Sequence, residues 1–210
     1  FKPLSQLLNF LDSQNDNCGI VYCSSRARVD DIAAKLKTKG YNAEAYHAGY
    51  ETEHRISVQE KFQRDQIQIV VATVAFGMGI NKPNIRYVVH YDLPKTIESY
   101  YQETGRAGRD GLPAECLMFF DTGDIPRVKR LISDNPNEDR AKVELQRFNA
   151  MVALADAQTC RRQVLLHYFN ESSTTACGNC DICLDPPKSF DGSLLAQQAM
   201  SCIYRSGQRF

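Results

Sequence analysis

A doubly wound parallel sheet with helices on both faces is the fold class the sequence predicts. Short β-rich runs alternate with amphipathic helical stretches from the start of the chain to about residue 120. One of those runs, residues 19–23 (Gly-Ile-Val-Tyr-Cys), has the unbroken apolar character of a strand buried on both faces. Length agrees: 210 residues with 43% hydrophobic side chains fill one full domain plus a smaller attachment.

The elements follow in order. Leu4, Leu7, Leu8 and Leu11 stand at helical spacing within residues 1–13, and Asn15-Asp16-Asn17 ends the pattern. After the strand at 19–23, Ser24 and Ser25 offer capping hydroxyls to a helix with Val29, Ile32, Ala33 and Leu36 on one stripe, stopped at Gly40. Strand 42–46, helix 52–65, with Val58 and Phe62 four apart, strand 67–72 and strand 85–91 come next. Thr96 then caps a helix with Glu98 in its first turn, and strand 115–120 closes the alternation. In such a sheet ligands bind beyond the carboxyl ends of the strands, and the motif loops are expected there. From Asp124 the character changes, with Val128, Leu131 and Ile132 suggesting one helix and Leu145, Phe148, Val152 and Ala155 a longer one. Pro186-Pro187 marks a linker before a last helix from residue 193 to 204. Domain boundaries are therefore expected to give 1–125, 126–187 and 188–210.

The totals exclude several classes. Lys+Arg 25 against Asp+Glu 25 leaves no net charge, so a nucleic-acid role has to rest on motifs. The longest apolar run, residues 69–80, is broken by Thr73 and two glycines and is shorter than the roughly 18 residues of a membrane span. A soluble protein without a membrane partner is expected. Phe1 is followed by no basic-then-apolar leader, which suggests a piece of a longer intracellular polypeptide, with its eight cysteines reduced.

The chain's chemistry is organised around Gln102-Glu103-Thr104-Gly105-Arg106-Ala107-Gly108-Arg109-Asp110-Gly111. Two guanidiniums three residues apart share a face if the backbone stays helical, and the glycines remove Cβ atoms that would hold a phosphate chain off the backbone. Arg stays ionised and grips phosphate through its planar fork. A Gly-rich surface turn with two solvated arginines is the alternative for this decapeptide alone. A second loop, Ala72-Thr73-Val74-Ala75-Phe76-Gly77-Met78-Gly79-Ile80-Asn81-Lys82-Pro83, puts a hydroxyl, glycines and a small amide at a strand end.

Together with Gly19-Ile20-Val21-Tyr22-Cys23-Ser24-Ser25-Arg26, Ala45-Tyr46-His47-Ala48-Gly49 and His90-Tyr91-Asp92-Leu93-Pro94, these motifs resemble the second RecA-like lobe of superfamily-2 helicases. Phe-Gly-Met-Gly-Ile-Asn-Lys-Pro and the downstream cysteines resemble, more narrowly, the bacterial RecQ DNA helicases, over nearly the whole chain. The resemblance implies a RecA-like sheet, a helical zinc-binding segment and the start of a winged helix. It implies that Arg109 is the arginine finger, that Arg106 makes a second phosphate contact, and that Gln102, Asn81 and Gly79 belong to the nucleotide site. Asn81 departs from the family, many of whose members carry Asp there. Thr73, Ser24, Ser25, Arg26 and His47 are implied to touch DNA; plain helix capping for each serine and a structural role for His47 are the alternatives. The implied partners are single-stranded and forked DNA, the first helicase lobe of the same polypeptide and a single-stranded-DNA-binding protein, in the cytoplasm at the bacterial nucleoid. ATP and Mg²⁺ would serve the complete enzyme. The chain itself contains neither G-x-x-x-x-G-K-[ST] nor an Asp-Glu pair placed to hold Mg²⁺. A stand-alone zinc-stabilised nucleic-acid-binding module is the reading of a different class.

Cys177-x-x-Cys180-x-x-Cys183 with Cys160 upstream supplies four thiolates, enough for a tetrahedral zinc shell, with Gly178 and Asn179 permitting the turn. An iron–sulfur cluster is the rival, although the next cysteine of a ferredoxin is replaced here by Pro187, and disulfides are a third possibility. Cys18, Cys23, Cys116 and Cys202 read as core or surface thiols.

Overall fold

In a computed structural model of the chain, residues 2–77, 80–188 and 190–207 are described. Those up to Asp156 form one compact unit and those from Ala157 onward a second. The first unit runs α1 (Pro3–Ser13), β1 (Gly19–Tyr22), α2 (Arg26–Thr38), β2 (Ala43–Tyr46), α3 (Thr52–Gln63), β3 (Ile69–Ala72), β4 (Tyr87–His90), α4 (Ile97–Thr104), β5 (Glu115–Met118), α5 (Asp124–Ser133) and α6 (Glu138–Ala155). The strands pair in the order β2-β3-β1-β4-β5, all parallel, with Val21 opposite both Val71 and Val89. The predicted class is the observed one.

Alternation along the strands divides the core in two. Val21, Ala43, Ala45, Ile69, Val71, Tyr87 and Val89 point to one face and meet Leu7 and Leu11 of α1 and Val29, Ile32, Ala33 and Leu36 of α2. Ile20, Tyr22, Val70, Ala72 and Val88 point to the other and meet Val58 and Phe62 of α3. Cys18, Tyr46 and Ile67 belong to that second core as well, and so do Phe76, Ile80 and Ile85. The last three come from the β3–β4 connection, which has no helix among its described residues and lies across the sheet where a crossover helix would otherwise pack. Gly19 is needed where β1 starts, because a Cβ there would lie 2.1 Å from the buried Tyr87 ring. Both predicted caps form: Ser25 Oγ accepts from the Arg28 N–H at 3.3 Å, and Thr96 Oγ1 from the Ser99 N–H at 3.2 Å.

Two helical stripes differ from expectation. In α6 the buried residues are Phe148, Met151, Leu154 and Ala155, with Leu145 and Val152 half-buried, and in α5 Leu131 is exposed while Ile132 is buried. Apolar residues cover a wide arc of α6, and packing on α4 and α5 selects which of them go inside. The same packing keeps both helices in the first compact unit.

The second unit holds α7 (Arg161–Tyr168), α8 (Asp181–Leu184) and α9 (Ser193–Arg205), none with a buried residue. Its buried hydrophobic side chain among the described residues is Cys160.

Candidate functional site

The arginine stretch leaves the α-helix at Thr104 and continues as tight turns. Arg106 N–H bonds to Glu103 O at 3.2 Å and Ala107 N–H to Thr104 O at 3.1 Å, both reaching three residues back. Arg106 Nη1 donates to Gly77 O at 2.6 Å and Arg109 Nη1 to Ile80 O at 3.4 Å, so both guanidiniums address the same β3–β4 connection. Arg106 is buried, and its Nε has no partner among the described residues; Arg109 is exposed. Gly77 makes room: a Cβ there would sit 2.2 Å from Arg106 Nη2. Gly77→Ala should therefore expel this guanidinium, lowering stability by about 1–3 kcal/mol through the lost buried hydrogen bond. Chemical denaturation of the variant against the parent checks it.

The turn is anchored at the amino end of β4, not beyond the carboxyl ends. Gly108 N–H reaches Ile85 O at 2.9 Å, and Arg86 Nη2 forks onto Asp110 at 2.6 and 2.5 Å, holding that carboxyl below its ordinary value. The expectation that all motif loops gather at the carboxyl edge is thus corrected for this one. The chain descends the sheet from the level of His90, which Glu103 meets, to residue 85.

The carboxyl edge carries the other group. Ser24 N–H donates to Asp92 Oδ2 at 2.8 Å, and Asp92 also pairs with Arg28 at 3.0 Å. Ser24 and Thr73 line one cleft of about 410 Å³ together with Tyr22, His90, Asp92 and Glu103. Ser25 caps α2, and Arg26, exposed at the first position of α2, passes beside Gly49. His47 is engaged within the chain: Nδ1 accepts from the Gly49 N–H at 3.1 Å, so Nε2 carries the proton donated to Asp30, 3.1 Å away. Gln102 and Asn81 are exposed, and Gly79 lies outside the described residues.

Sequence reasoning missed a buried polar cluster. His90 Nε2 and Glu103 Oε2 are 2.7 Å apart, His90 stacks on Tyr22, and Tyr22 OH donates to Phe76 O at 2.9 Å. Burial pushes the Tyr22 phenol far above its ordinary value, so it remains a donor. A histidine ending an otherwise apolar strand was the available signal. Lys82 was missed too; it is buried against Phe62 and 2.5 Å from Asp65.

In the second unit the Sγ atoms of Cys160, Cys177, Cys180 and Cys183 all lie within 4.8 Å of one another, with Cys177 and Cys183 at 3.9 Å. Zinc bonded to four sulfurs at about 2.3 Å requires S···S separations of about 3.8 Å, so the donors fit one zinc ion. All eight cysteines are free, which removes the disulfide alternative. An iron–sulfur cluster, whose iron atoms each need room, would hold the thiolates further apart. Cys160 precedes α7, Cys180 stands just before α8 and Cys183 within it, and Gly178 takes φ +70° in the turn before them. Burial opposes ionisation of Cys160, but N–H donation from Cys177 and Gln163 and the neighbouring thiols outweigh it and bring it to about 6. Cys183, despite the Gly178 N–H, is pushed up to about 11 by the Cys180 thiol. Arg161 braces the site by donating to both carboxylate oxygens of Asp181, at 2.6 and 2.7 Å.

Comparison with known proteins places these features. Residues 2–111 match the profile of the helicase conserved C-terminal domain. The chain belongs to that helicase family. Residues 122–184 match the RecQ zinc-binding profile, which makes this member one of the RecQ type, as the motifs indicated. The protein named ATP-dependent DNA helicase RecQ from Pasteurella multocida (strain Pm70) is 54% identical over all 210 residues, and its namesake from Bacillus subtilis (strain 168) 41% over 96% of the chain. The chain spans 33% and 34% of those relatives' lengths, about one third. Among solved structures, a DEAD box protein from the hyperthermophile Methanococcus jannaschii aligns with TM-score 0.54 and 25% identity, covering 62% of this chain and 36% of that one. Among the described residues no helix is long and apolar enough to cross a membrane.

Proposed function

We propose that this chain is the second motor lobe and zinc segment of an ATP-dependent 3′–5′ DNA helicase that acts in repair and recombination at the bacterial nucleoid. The observation that carries it is the pair Arg106 and Arg109, held on one connection of a RecA-like sheet in a chain without a phosphate loop of its own. Arginines so placed can act only on a nucleotide brought to them. The first lobe of the same polypeptide would present ATP and its Mg²⁺, Arg109 would stabilise charge developing on the γ-phosphoryl group, and Arg106, Gln102, Asn81 and Gly79 would line the same nucleotide. Thr73, Ser24, Ser25 and Arg26 would hold backbone phosphates of single-stranded DNA at the carboxyl edge, with His47 bracing that edge from within. Zinc supplies structure, its four positions filled by Cys160, Cys177, Cys180 and Cys183. Residues 1–125, 126–187 and 188–210 would be lobe, zinc segment and start of a winged helix, and forked DNA and a single-stranded-DNA-binding protein would be partners of the complete enzyme. The relatives, three times as long and named as ATP-dependent helicases, support a lobe over a stand-alone binding module.

The test is direct. These 210 residues alone should hydrolyse no ATP with or without single-stranded DNA, whereas the polypeptide extended to include a phosphate loop should show DNA-stimulated hydrolysis. Turnover by the isolated chain would refute the division of labour.

A further inference from the structure

Four buried polar side chains form one wall shared by the carboxyl-edge cleft and the arginine turn. Tyr22, His90, Glu103 and Arg106 are 3%, 1%, 6% and 8% exposed. Tyr22 and Arg106 hold two successive carbonyls of the β3–β4 connection, those of Phe76 and Gly77. His90 leaves the end of β4 and stacks on Tyr22 at 5.6 Å, with Tyr100 of α4 tilted against it at 5.1 Å. Its Nε2 meets Glu103 Oε2 at 2.7 Å, and its buried Nδ1 has no partner among the described residues. Glu103 stands one residue before α4 ends, and its carbonyl accepts the Arg106 N–H. The last helical turn before the arginines is thereby tied to the sheet by a buried bond. Tyr22, His90 and Glu103 also line the cleft that contains Ser24 and Thr73.

We propose that Glu103 and His90 are a positioning pair: their buried hydrogen bond sets where α4 ends, and so places Arg106 and Arg109 in register with the cleft at the carboxyl edge. The proposal rests on the function given above, and it adds two residues that act through the arginine turn. A carboxylate and an imidazole suit this role because a buried pair is strong only at one geometry, and breaking one partner leaves the other unsatisfied in a low dielectric. A loosened turn would still let the nucleotide bind, since other contacts hold it. The guanidiniums would then be misplaced when charge develops, and a displacement of about 1 Å can cost about 100-fold in rate.

Two substitutions separate positioning from plain stability. Glu103→Leu keeps the size and removes the acceptor, whereas Glu103→Gln keeps an amide oxygen that can accept from Nε2 in the same place. In the complete polypeptide, Glu103→Leu should lower kcat at saturating single-stranded DNA by at least about 10-fold with KM for ATP within about twofold, and Glu103→Gln should stay within about threefold of the parent. Amide hydrogen exchange of residues 105–111 should rise in Glu103→Leu and not in Glu103→Gln. If Glu103→Leu does not fold, His90→Phe, which keeps the stack on Tyr22 and drops the donor, is compared with His90→Gln in the same assays. Full kcat in the Leu variant, an equal loss in Leu and Gln, or unchanged exchange overturns the proposal. A parent polypeptide without ATPase activity would instead sink the helicase reading, and the exchange contrast would still decide the pair.

Discussion

Stripping the metal with a strong chelator should unfold the chain from Ala157 onward and leave the parallel sheet folded. The second unit has almost no other source of stability. Its three helices carry no buried residue, one of them is only four residues long, and the buried hydrophobic side chain there among the described residues is Cys160, itself one of the four clustered thiols. So little apolar burial does not hold a fold by itself, and zinc binding to four thiolates is worth about 10–16 kcal/mol in small zinc domains at neutral pH. The first unit instead has two apolar cores, one on each face of its sheet. Metal analysis should find one zinc per chain. Limited proteolysis after chelation, or in Cys180→Ala, should cut beyond Ala157 and spare a core ending near Asp156. Iron in the purified protein, with visible charge-transfer absorbance, or a protease-resistant second unit after chelation, would contradict this assignment.

Legibility in the sequence followed the range of the interactions. Strands of the sheet were readable because residues buried on both faces give short continuous apolar runs, and the caps at Ser25 and Thr96 because capping is decided within four residues. The cysteine cluster was readable because two C-x-x-C spacings constrain the turn that brings three of its thiols together. Less legible was the buried face of α6, where Leu145, Val152, Met151 and Leu154 compete and tertiary packing decides among them. The place of the arginine turn was misjudged for a similar reason. Nothing local says that the described residues between β3 and β4 cross the sheet without a helix, and it is this connection that receives both guanidiniums. Gly77 shows the same limit, since its function is the space it leaves for a side chain 29 residues away. The His90–Glu103 pair joins residues 13 apart through tertiary structure alone, and only the oddity of an imidazole in a buried strand hinted at it.

Arg109→Ala in the complete polypeptide should lower kcat for ATP by roughly 1,000-fold or more while nucleotide affinity changes little. A loss of that size corresponds to about 4 kcal/mol of transition-state stabilisation, which an exposed side chain can supply only by meeting charge that is absent from the ground state. Arg109 is exposed and lightly held: among the described residues it donates from Nε to Gly105 O in its own turn at 3.0 Å and makes a long contact to Ile80 O at 3.4 Å. Its removal should therefore leave stability within about 0.5 kcal/mol of the parent, as for other exposed positions. Arg106 is different. Its guanidinium is buried on the Gly77 carbonyl, so Arg106→Ala should weaken nucleotide binding and also destabilise the fold by about 1–3 kcal/mol through the carbonyl left behind. Arg109→Lys should rescue poorly, because an ammonium lacks the planar fork, and single-stranded DNA binding should survive in every Arg109 variant. Nucleotide titration, steady-state ATPase and thermal unfolding on the three variants separate these roles. Should Arg109→Ala keep near-normal turnover while Arg106→Ala abolishes it without loss of stability, the finger is Arg106, and the hold on Gly77 has to be released when the nucleotide arrives.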